Sequence, residues 1–263
     1  MITTAVVLAR GLGTRMRAEG GSGLTPEQVA AASRGHKALM PLGDHCLIDY
    51  SLSALADAGI RRVVLVVAPE HEDFTAHVEE LAPERLTIEF AVQEEPLGTA
   101  NAVAAAESVV GDEPCLVVNG DNLYPVDGLR KLTEAKGHAL LGFDRQAMVE
   151  QSNIPADRIA AFALVEARDG VLVDILEKPS EDVVAEAGEH ALVSMNCFAF
   201  TPAIFAACRE VKPSARGEYE IVDAVRALDH VEVIPVASGV LDLSRRDDVA
   251  AVEALLADMD VRP

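Results

Sequence analysis

Asp121 closes a short apolar run, Cys115-Leu116-Val117-Val118-Asn119-Gly120-Asp121. A carboxylate in that position is costly unless it meets water, a hydrogen-bond donor or a cation. An earlier apolar run leads straight into Arg10-Gly11-Leu12-Gly13-Thr14-Arg15. Two glycines there let the backbone approach an anion closely and present N–H groups to it. An anion loop and a carboxylate able to meet a cation are equipment for phosphate chemistry. The loop is not a Walker A element, because no Gly-Lys-Ser/Thr follows, and it lacks the third glycine of the dinucleotide fingerprint. An isolated Gly-x-Gly is also what any tight strand-to-helix turn with solvated arginines would show.

The elements that would present these residues follow from the apolar pattern. Runs at residues 4–9, 62–68, 86–92 and 115–119 have the length and β-branched content of buried strands. Between and after them, residues 47–58, 69–81, 99–109 and 126–136 carry apolar side chains at helical spacing, with Thr99 placed to cap the third helix. Strands separated by helices require parallel crossovers. The expected fold class is α/β, a doubly wound Rossmann-like sheet in three layers, α/β/α. After Gly137 the rhythm changes, and residues 138–144, 161–167, 171–177 and 192–200 read as strands, which predicts a mixed extension of the sheet. Asp169-Gly170 is a two-residue hairpin signal. Helices return at 202–209 and 218–228, then a strand at 231–237 and a helix at 245–257. With no linker or internal repeat, residues 1–263 are expected to form one domain.

The 263 residues are half hydrophobic and carry a formal charge of −21. That suffices for a sizeable core, and the charge would repel nucleic acid and anionic membranes, so neither is an expected partner. A phosphorylated small molecule still fits, if cationic side chains, backbone N–H groups and a divalent cation reverse the field inside one cleft. Cys46, Cys115, Cys197 and Cys208 form no Cys-x-x-Cys pair and read as reduced, buried thiols. The opening residues lack a basic signal-type stretch and no run reaches membrane-spanning length, from which a cytoplasmic location is expected.

Further motifs stand in the order found in the sugar-1-phosphate nucleotidyltransferases, the nucleotide-sugar pyrophosphorylases, and the chain resembles that family. Ala9-Arg10-Gly11-Leu12-Gly13-Thr14-Arg15-Met16 is similar to the family's opening loop. His36-Lys37-Ala38-Leu39-Met40-Pro41, Gln93-Glu94-Glu95-Pro96-Leu97-Gly98-Thr99 and Val117-Val118-Asn119-Gly120-Asp121 follow. Later come Glu177-Lys178-Pro179, Asn196, Arg216-Gly217-Glu218-Tyr219-Glu220 and Val240-Leu241-Asp242. The resemblance implies a GT-A-like sheet with a nucleotide-binding half over about residues 1–125 and a sugar-phosphate half over 126–263. It also implies a reaction in which a nucleotidyl group passes from a nucleoside triphosphate, UTP or dTTP, to a sugar 1-phosphate, releasing pyrophosphate.

By the same resemblance, Ala9, Gly11, Gly13 and Thr14 belong to the triphosphate loop. Arg15 and Lys37 would stabilise the departing pyrophosphate, one with a fork of donors and the other as a compact charge. Asp121 and Asp242 would ligate Mg²⁺, the implied cofactor. Gln93 offers a donor and an acceptor to a base edge, while Gly98 lets the backbone approach the ring and Thr99 follows. Lys178 and Arg216 would hold the sugar phosphate, Lys178 acting in catalysis as well, and Glu177 and Asn196 would bond sugar hydroxyls. Three departures stand out: Arg10 replaces a small residue, Ala163 replaces a glycine, and Asp242 lacks its usual Trp. An extra segment between Arg15 and Lys37 contains Thr25-Pro26-Glu27-Gln28, a capped helix start, and could be a lid or a surface excursion. Same-fold guanylyl-, adenylyl- or cytidylyltransferases acting on a cyclitol or other phosphate, and a non-catalytic nucleotide-sugar-binding protein, are the competing readings. Homo-oligomerisation is left open.

Overall fold

Alternate residues of the first strand face opposite ways and both sets are buried: Ala5 and Val7 join one apolar cluster, Val6 the other. Such a strand can only sit inside a sheet covered on both faces. The computed structural model, which describes residues 1–11, 13–18 and 23–263, places it there. In chain order the strands are β1 (Thr4–Leu8), β2 (Pro41–Leu42), β3 (His45–Cys46), β4 (Arg62–Val67), β5 (Thr87–Val92), β6 (Cys115–Asn119) and β7 (Asn122–Leu123). There follow β8 (His138–Asp144), β9 (Leu164–Arg168), β10 (Val171–Leu176), β11 (Leu192–Phe200), β12 (Val231–Val236) and β13 (Leu241–Asp242).

The main sheet runs β5-β4-β1-β6-β11-β8-β12-β10-β9. Its first four strands are parallel, and β11 joins antiparallel to β6 and β8. This is the expected mixed α/β sheet. Helices Leu47–Asp57, Val126–Thr133 and Asp248–Leu256 contribute to the cluster that holds Ala5 and Val7. Helices Thr99–Ala105, Ala203–Glu210 and Ile221–Arg226 contribute to the opposite cluster, so the three-layer expectation holds as well. Asp169 and Gly170 both take positive φ, 53° and 77°, between the paired strands β9 and β10, as a primed hairpin turn requires.

Sequence and structure part in several places. The strand read over 161–167 begins only at Leu164, and ahead of it residues 156–160 form a helix. Helix Arg145–Gln151, whose first turn is capped by Asp144 accepting from Ala147 N (2.9 Å), was not expected either. The helix read over 99–109 breaks at Ala106. Thr99 does not cap its own helix, whose N-cap is Gly98; its hydroxyl instead accepts from the N–H of Ile221, 2.8 Å away, the first residue of another helix. The extra segment forms helix Pro26–Arg34 with a complete Thr25–Gln28 capping box, and Gln28 donates to Pro41 O at 3.0 Å. Its glycine-rich start, Gly20-Gly21-Ser22, lies outside the described residues, as does Leu12. Among the described residues no helix is long and apolar enough to cross a membrane.

The carboxyl ends of the parallel strands make one rim. Ala9 N bonds Val66 O, Gln93 N bonds Val67 O and Gly120 N bonds Leu8 O, each at 2.9 Å. Gly13, at φ 58°, is wedged there, and a Cβ on it would lie 2.5 Å from Gly35 O. Gly11 has open space around it. Gly13→Ala is expected to cost on the order of 2 kcal/mol in chemical denaturation, whereas Gly11→Ala should stay within about 0.5 kcal/mol. Equal losses at the two positions would show that the contact with Gly35 is not what makes Gly13 necessary.

Candidate active site

The glycine turn and Lys37 meet through the extra helix. That helix ends at Gly35, whose backbone packs on Gly13, and Arg17 reaches back to Arg34 O at 2.7 Å. Two residues beyond Gly35, Lys37 lies largely shielded from solvent and donates from Nζ to Asp121 Oδ2 at 2.7 Å. Thr14 and Arg15 sit exposed on the short helix Thr14–Arg17, anchored by buried Met16. Arg15 makes no ion pair among the described residues, which leaves its guanidinium available to an incoming anion. Arg10 turns the other way, its guanidinium bonding Gln93 O across the rim, so this departure ties the glycine turn to the end of β5.

Asp242 arrives beside Asp121 by strand pairing. β13 lies antiparallel to β7, with Asp242 opposite Asn122, and Leu243 N bonds Asp121 O at 3.0 Å. Asp242 is buried, at 7 % exposure. Burial, followed by the charge of Asp121, pushes its carboxyl above the ordinary aspartate value, against the pull of a Ser244 hydrogen bond, Arg158 and Lys37. Asn122 Nδ2 donates to its Oδ1 at 3.0 Å, and Arg158 holds its Oδ2. Asn153 brackets its backbone with two 2.8 Å bonds. Asn122 is itself fixed by Asn119, whose Nδ2 donates to its Oδ1 at 3.1 Å; the Tyr124 hydroxyl packs 3.3 Å from the same oxygen and donates to Met195 O at 2.6 Å. Asp248 accepts from the N–H groups of Ser244 (3.0 Å) and Arg245 (2.7 Å) and pairs with Arg158 (3.0 Å), so it shapes the turn after Asp242.

Two like charges crowded at the rim, one of them buried, are a donor set suited to a hard divalent cation. Among the described residues Asp121 has only Lys37 on it and retains acceptor capacity toward solvent; Asp242 already accepts on both oxygens.

The segment 93–100 is clamped to 219–221. Tyr219 N bonds Leu97 O and Ala100 N bonds Tyr219 O, both at 2.8 Å. A Cβ at Gly98, where φ is 122°, would strike Tyr219 O at 2.6 Å, so only glycine fits. Gln93 is buried, and its Nε2 donates to Gly98 O (3.2 Å) and Asn101 Oδ1 (2.7 Å). Both amide hydrogens are thereby spent, leaving the amide oxygen, an acceptor, as its hydrogen-bonding capacity toward a ligand.

Glu177 and Arg216 come together around Glu220, with Lys178 next in the chain to Glu177. Arg216 Nη2 donates to Glu220 Oε1 at 2.6 Å, an interaction that holds its guanidinium pKa above the ordinary value. Glu177 is pushed up by partial desolvation and by Glu220, against the pull of Arg216, Arg226 and Lys178. Lys178 and Asn196 take left-handed backbone, φ 47° and 54°. Of the four non-glycine residues in that region among those described, Asp169 belongs to the hairpin and Ala82 ends a helix, so the strained positions without a turn or cap to explain them are both candidate sugar-site residues. Asn196 lies in a break in the register of β11, between Ser194 and Phe198, one residue past the Met195 carbonyl held by Tyr124. Ala163 is buried in the core, and its carbonyl accepts from Ser194 N at 2.9 Å.

Sequence reasoning missed Arg158, Asn153 and Asn122, which position Asp242. A signal existed for the first: Pro155 followed by Asp157 marks a helix start. Nothing local indicates that this helix faces Asp242.

Comparison with known proteins agrees with this architecture. The nucleotidyl transferase family pattern matches residues 4–237. A UTP–glucose-1-phosphate uridylyltransferase of Haloferax volcanii is 28 % identical over 262 residues, 97 % of this chain and 96 % of that protein. A glucose-1-phosphate thymidylyltransferase of Streptomyces antibioticus is 32 % identical over 224 residues, 85 % of this chain but 56 % of that longer protein. A solved UDP-glucose pyrophosphorylase with UDP-glucose has the same fold, with a TM-score of 0.73 at 19 % identity and 98 % and 99 % of the two chains covered. The chain belongs to the nucleotidyl transferase family.

Proposed function

We propose that this nucleotidyltransferase joins UTP or dTTP to a sugar 1-phosphate, glucose 1-phosphate being the first to test, and releases pyrophosphate. The observation that carries the reading is the single corner where the glycine turn, Lys37, Asp121 and Asp242 converge at the carboxyl ends of the parallel strands, the usual ligand position in open α/β sheets.

The central difficulty is bringing an anionic nucleophile to a polyanion and stabilising the charge of the leaving pyrophosphate. The N–H groups of Gly11, Gly13 and Thr14 would receive the triphosphate, Ala9 being fixed to Val66 O by its own N–H, with Arg15 and Lys37 neutralising the departing phosphates. Lys37 must then exchange part of its bond with Asp121 for phosphate oxygen. Asp121 and Asp242 would hold a divalent cation, Mg²⁺ in our proposal, which supplies charge neutralisation at the reacting phosphates. Lys178 and Arg216 would orient the sugar phosphate for in-line attack, with Glu177 and Asn196 bonding the sugar hydroxyls. The acceptor left on Gln93 suits a base with an imino N–H, which uracil, thymine and guanine have and cytosine and adenine lack, and the uridylyl- and thymidylyltransferase names of the relatives favour the two pyrimidines.

Three outcomes test this. With Mg²⁺, Asp121→Asn and Asp242→Asn should each lower kcat by about 10²-fold or more, as does loss of one electrostatic contact to a transition state, while retaining the wild-type circular dichroism spectrum. Full activity in Asp242→Asn would relocate the second ligand. Lys178→Ala should raise KM for the sugar phosphate, or lower kcat, with triphosphate binding by calorimetry nearly unchanged; equal weakening of both substrates would defeat that division of labour. In a matrix of triphosphates against sugar 1-phosphates read by pyrophosphate release, UTP or dTTP should exceed ATP, GTP and CTP by well over tenfold in kcat/KM. Gln93→Glu should lose activity with either pyrimidine, since an acceptor would then face Gly98 O and Asn101 Oδ1. A preference for ATP or GTP would overturn the base assignment.

A further inference from the structure

Beside the Lys37 segment lies a group of side chains that the transfer reaction does not use. Cys46 and Asp49 occupy the N-cap and third position of helix Leu47–Asp57, a spacing that puts both on one face. His77, from helix Glu72–Leu81, comes over them. One ligand atom from each, the thiol sulfur, a carboxylate oxygen and a ring nitrogen, lies within 4.8 Å of the other two.

Asp49 is buried, at 2 % exposure, and is divided between two donors: Oδ2 accepts from Cys46 N at 2.8 Å, and Oδ1 meets His77 Nε2 at 2.6 Å. Cys46 Sγ is directed at Leu39 O, 3.5 Å away. Cys46 and His77, with Asp49 buried behind them, form part of the wall of a cleft of about 390 Å³ between helices Pro26–Arg34 and Glu72–Leu81, lined also by Arg34, His36, Asp73 and Glu80. The charges of Asp49 and Glu80 bear on both Cys46 and His77, so the surroundings favour a cation.

We propose that Cys46, Asp49 and His77 form a second cation site, for a zinc-type divalent transition metal, distinct from the carboxylate corner at Asp121. One sulfur, one imidazole nitrogen and one carboxylate oxygen are a donor set that zinc accepts and that Mg²⁺, which prefers oxygen, does not. Bonds of about 2.0–2.3 Å in a tetrahedron place ligand atoms about 3.3–3.8 Å apart, so modest rotation of the Cys46 and His77 side chains closes the site. The fourth position opens to the cleft, where water or the Glu80 carboxylate completes it. Binding displaces the thiol proton to solvent and takes the proton from His77 Nε2, either to Nδ1 or to solvent; Cys46 and Asp49 then contribute two negative charges against the metal's two positive ones. Burial and Asp49 push the Cys46 thiol up to about 12, so a neighbouring cation is what would make it a thiolate at neutral pH.

The position gives the metal a structural consequence. Cys46 hangs from the segment that carries Lys37, since Ile48 N bonds Ala38 O (2.8 Å) and Leu47 N bonds Met40 O (3.0 Å). A metal held there would cross-link that segment to helix Glu72–Leu81.

Cobalt(II) added to the whole chain, stripped of metal and free of nucleotide and Mg²⁺, tests the site by absorption. The expected result is a thiolate-to-cobalt charge-transfer band saturating at one equivalent, absent in Cys46→Ser and requiring at least tenfold more cobalt in His77→Gln. No such band in the wild-type protein, or a band that survives Cys46→Ser, would overturn the proposal. Should Cys46→Ser fail to fold, alkylation of Cys46 in the wild-type protein, followed by peptide mass spectrometry, decides the matter. Zn²⁺ should slow that alkylation at least tenfold, and an unchanged rate would overturn the site. None of these readouts depends on turnover, so they stand apart from the proposed transferase chemistry.

Discussion

A buried carboxylate must be given a cation or donors, and at the carboxyl rim of this sheet that requirement shapes everything around it. Asp121 is met by Lys37, Asp242 by Arg158 and Asn122, and Asp248 by Arg158 and two backbone N–H groups. Leaving a buried charge without its partner costs roughly 3–5 kcal/mol, a large share of the stability of any domain. The cations come from elements far apart in the chain, Lys37 from the end of the extra helix and Arg158 from a short helix beyond β8. The rim is therefore completed only when the segments before and after the middle of the sheet have packed.

The same dependence appears in the backbone clamps. The ribbon of β7 and β13 brings Asp242 to Asp121, and the bonds between 97–100 and 219–221 bring the loop after β5 to the motif that contains Arg216. Each clamp joins a residue of the first half of the chain to one of the second. A site that must touch a nucleotide and a sugar phosphate at once needs that joining, because in-line transfer tolerates little error in the placement of the two reactants.

Rigidity is bought with local strain. Lys178 and Asn196 hold backbone conformations that side-chain-bearing residues rarely adopt, and such positions persist where surrounding structure over-determines them. Asn196 sits in the irregular stretch of β11 beside the Met195 carbonyl fixed by Tyr124. Lys178 follows the end of β10 and precedes Pro179. The strain thus falls where side chains must be aimed out of a strand's ordinary alternation.

The amino-acid sequence by itself determined the parallel half of the sheet, because runs such as Ala5–Val7 and Val63–Val67 are apolar on both faces and can be stable only as interior strands. It also determined the hairpin at Asp169-Gly170, the Thr25–Gln28 capping box and the motif order that marks the family, each a matter of neighbouring residues. Only tertiary structure decided the rest. Thr99 caps the helix at Ile221 instead of its own, Gln93 spends its amide hydrogens on Gly98 and Asn101, and Arg10 turns to the Gln93 carbonyl. Arg158 and Asn153 reach Asp242, and His77 reaches Asp49. In each of these cases the residue's partner lies on another element, and a hydrogen bond between distant residues leaves no periodicity in the chain. Burial patterns repeat every two or three to four residues and can be read along a sequence; the pairing of polar groups depends on which surfaces the packed core brings into contact.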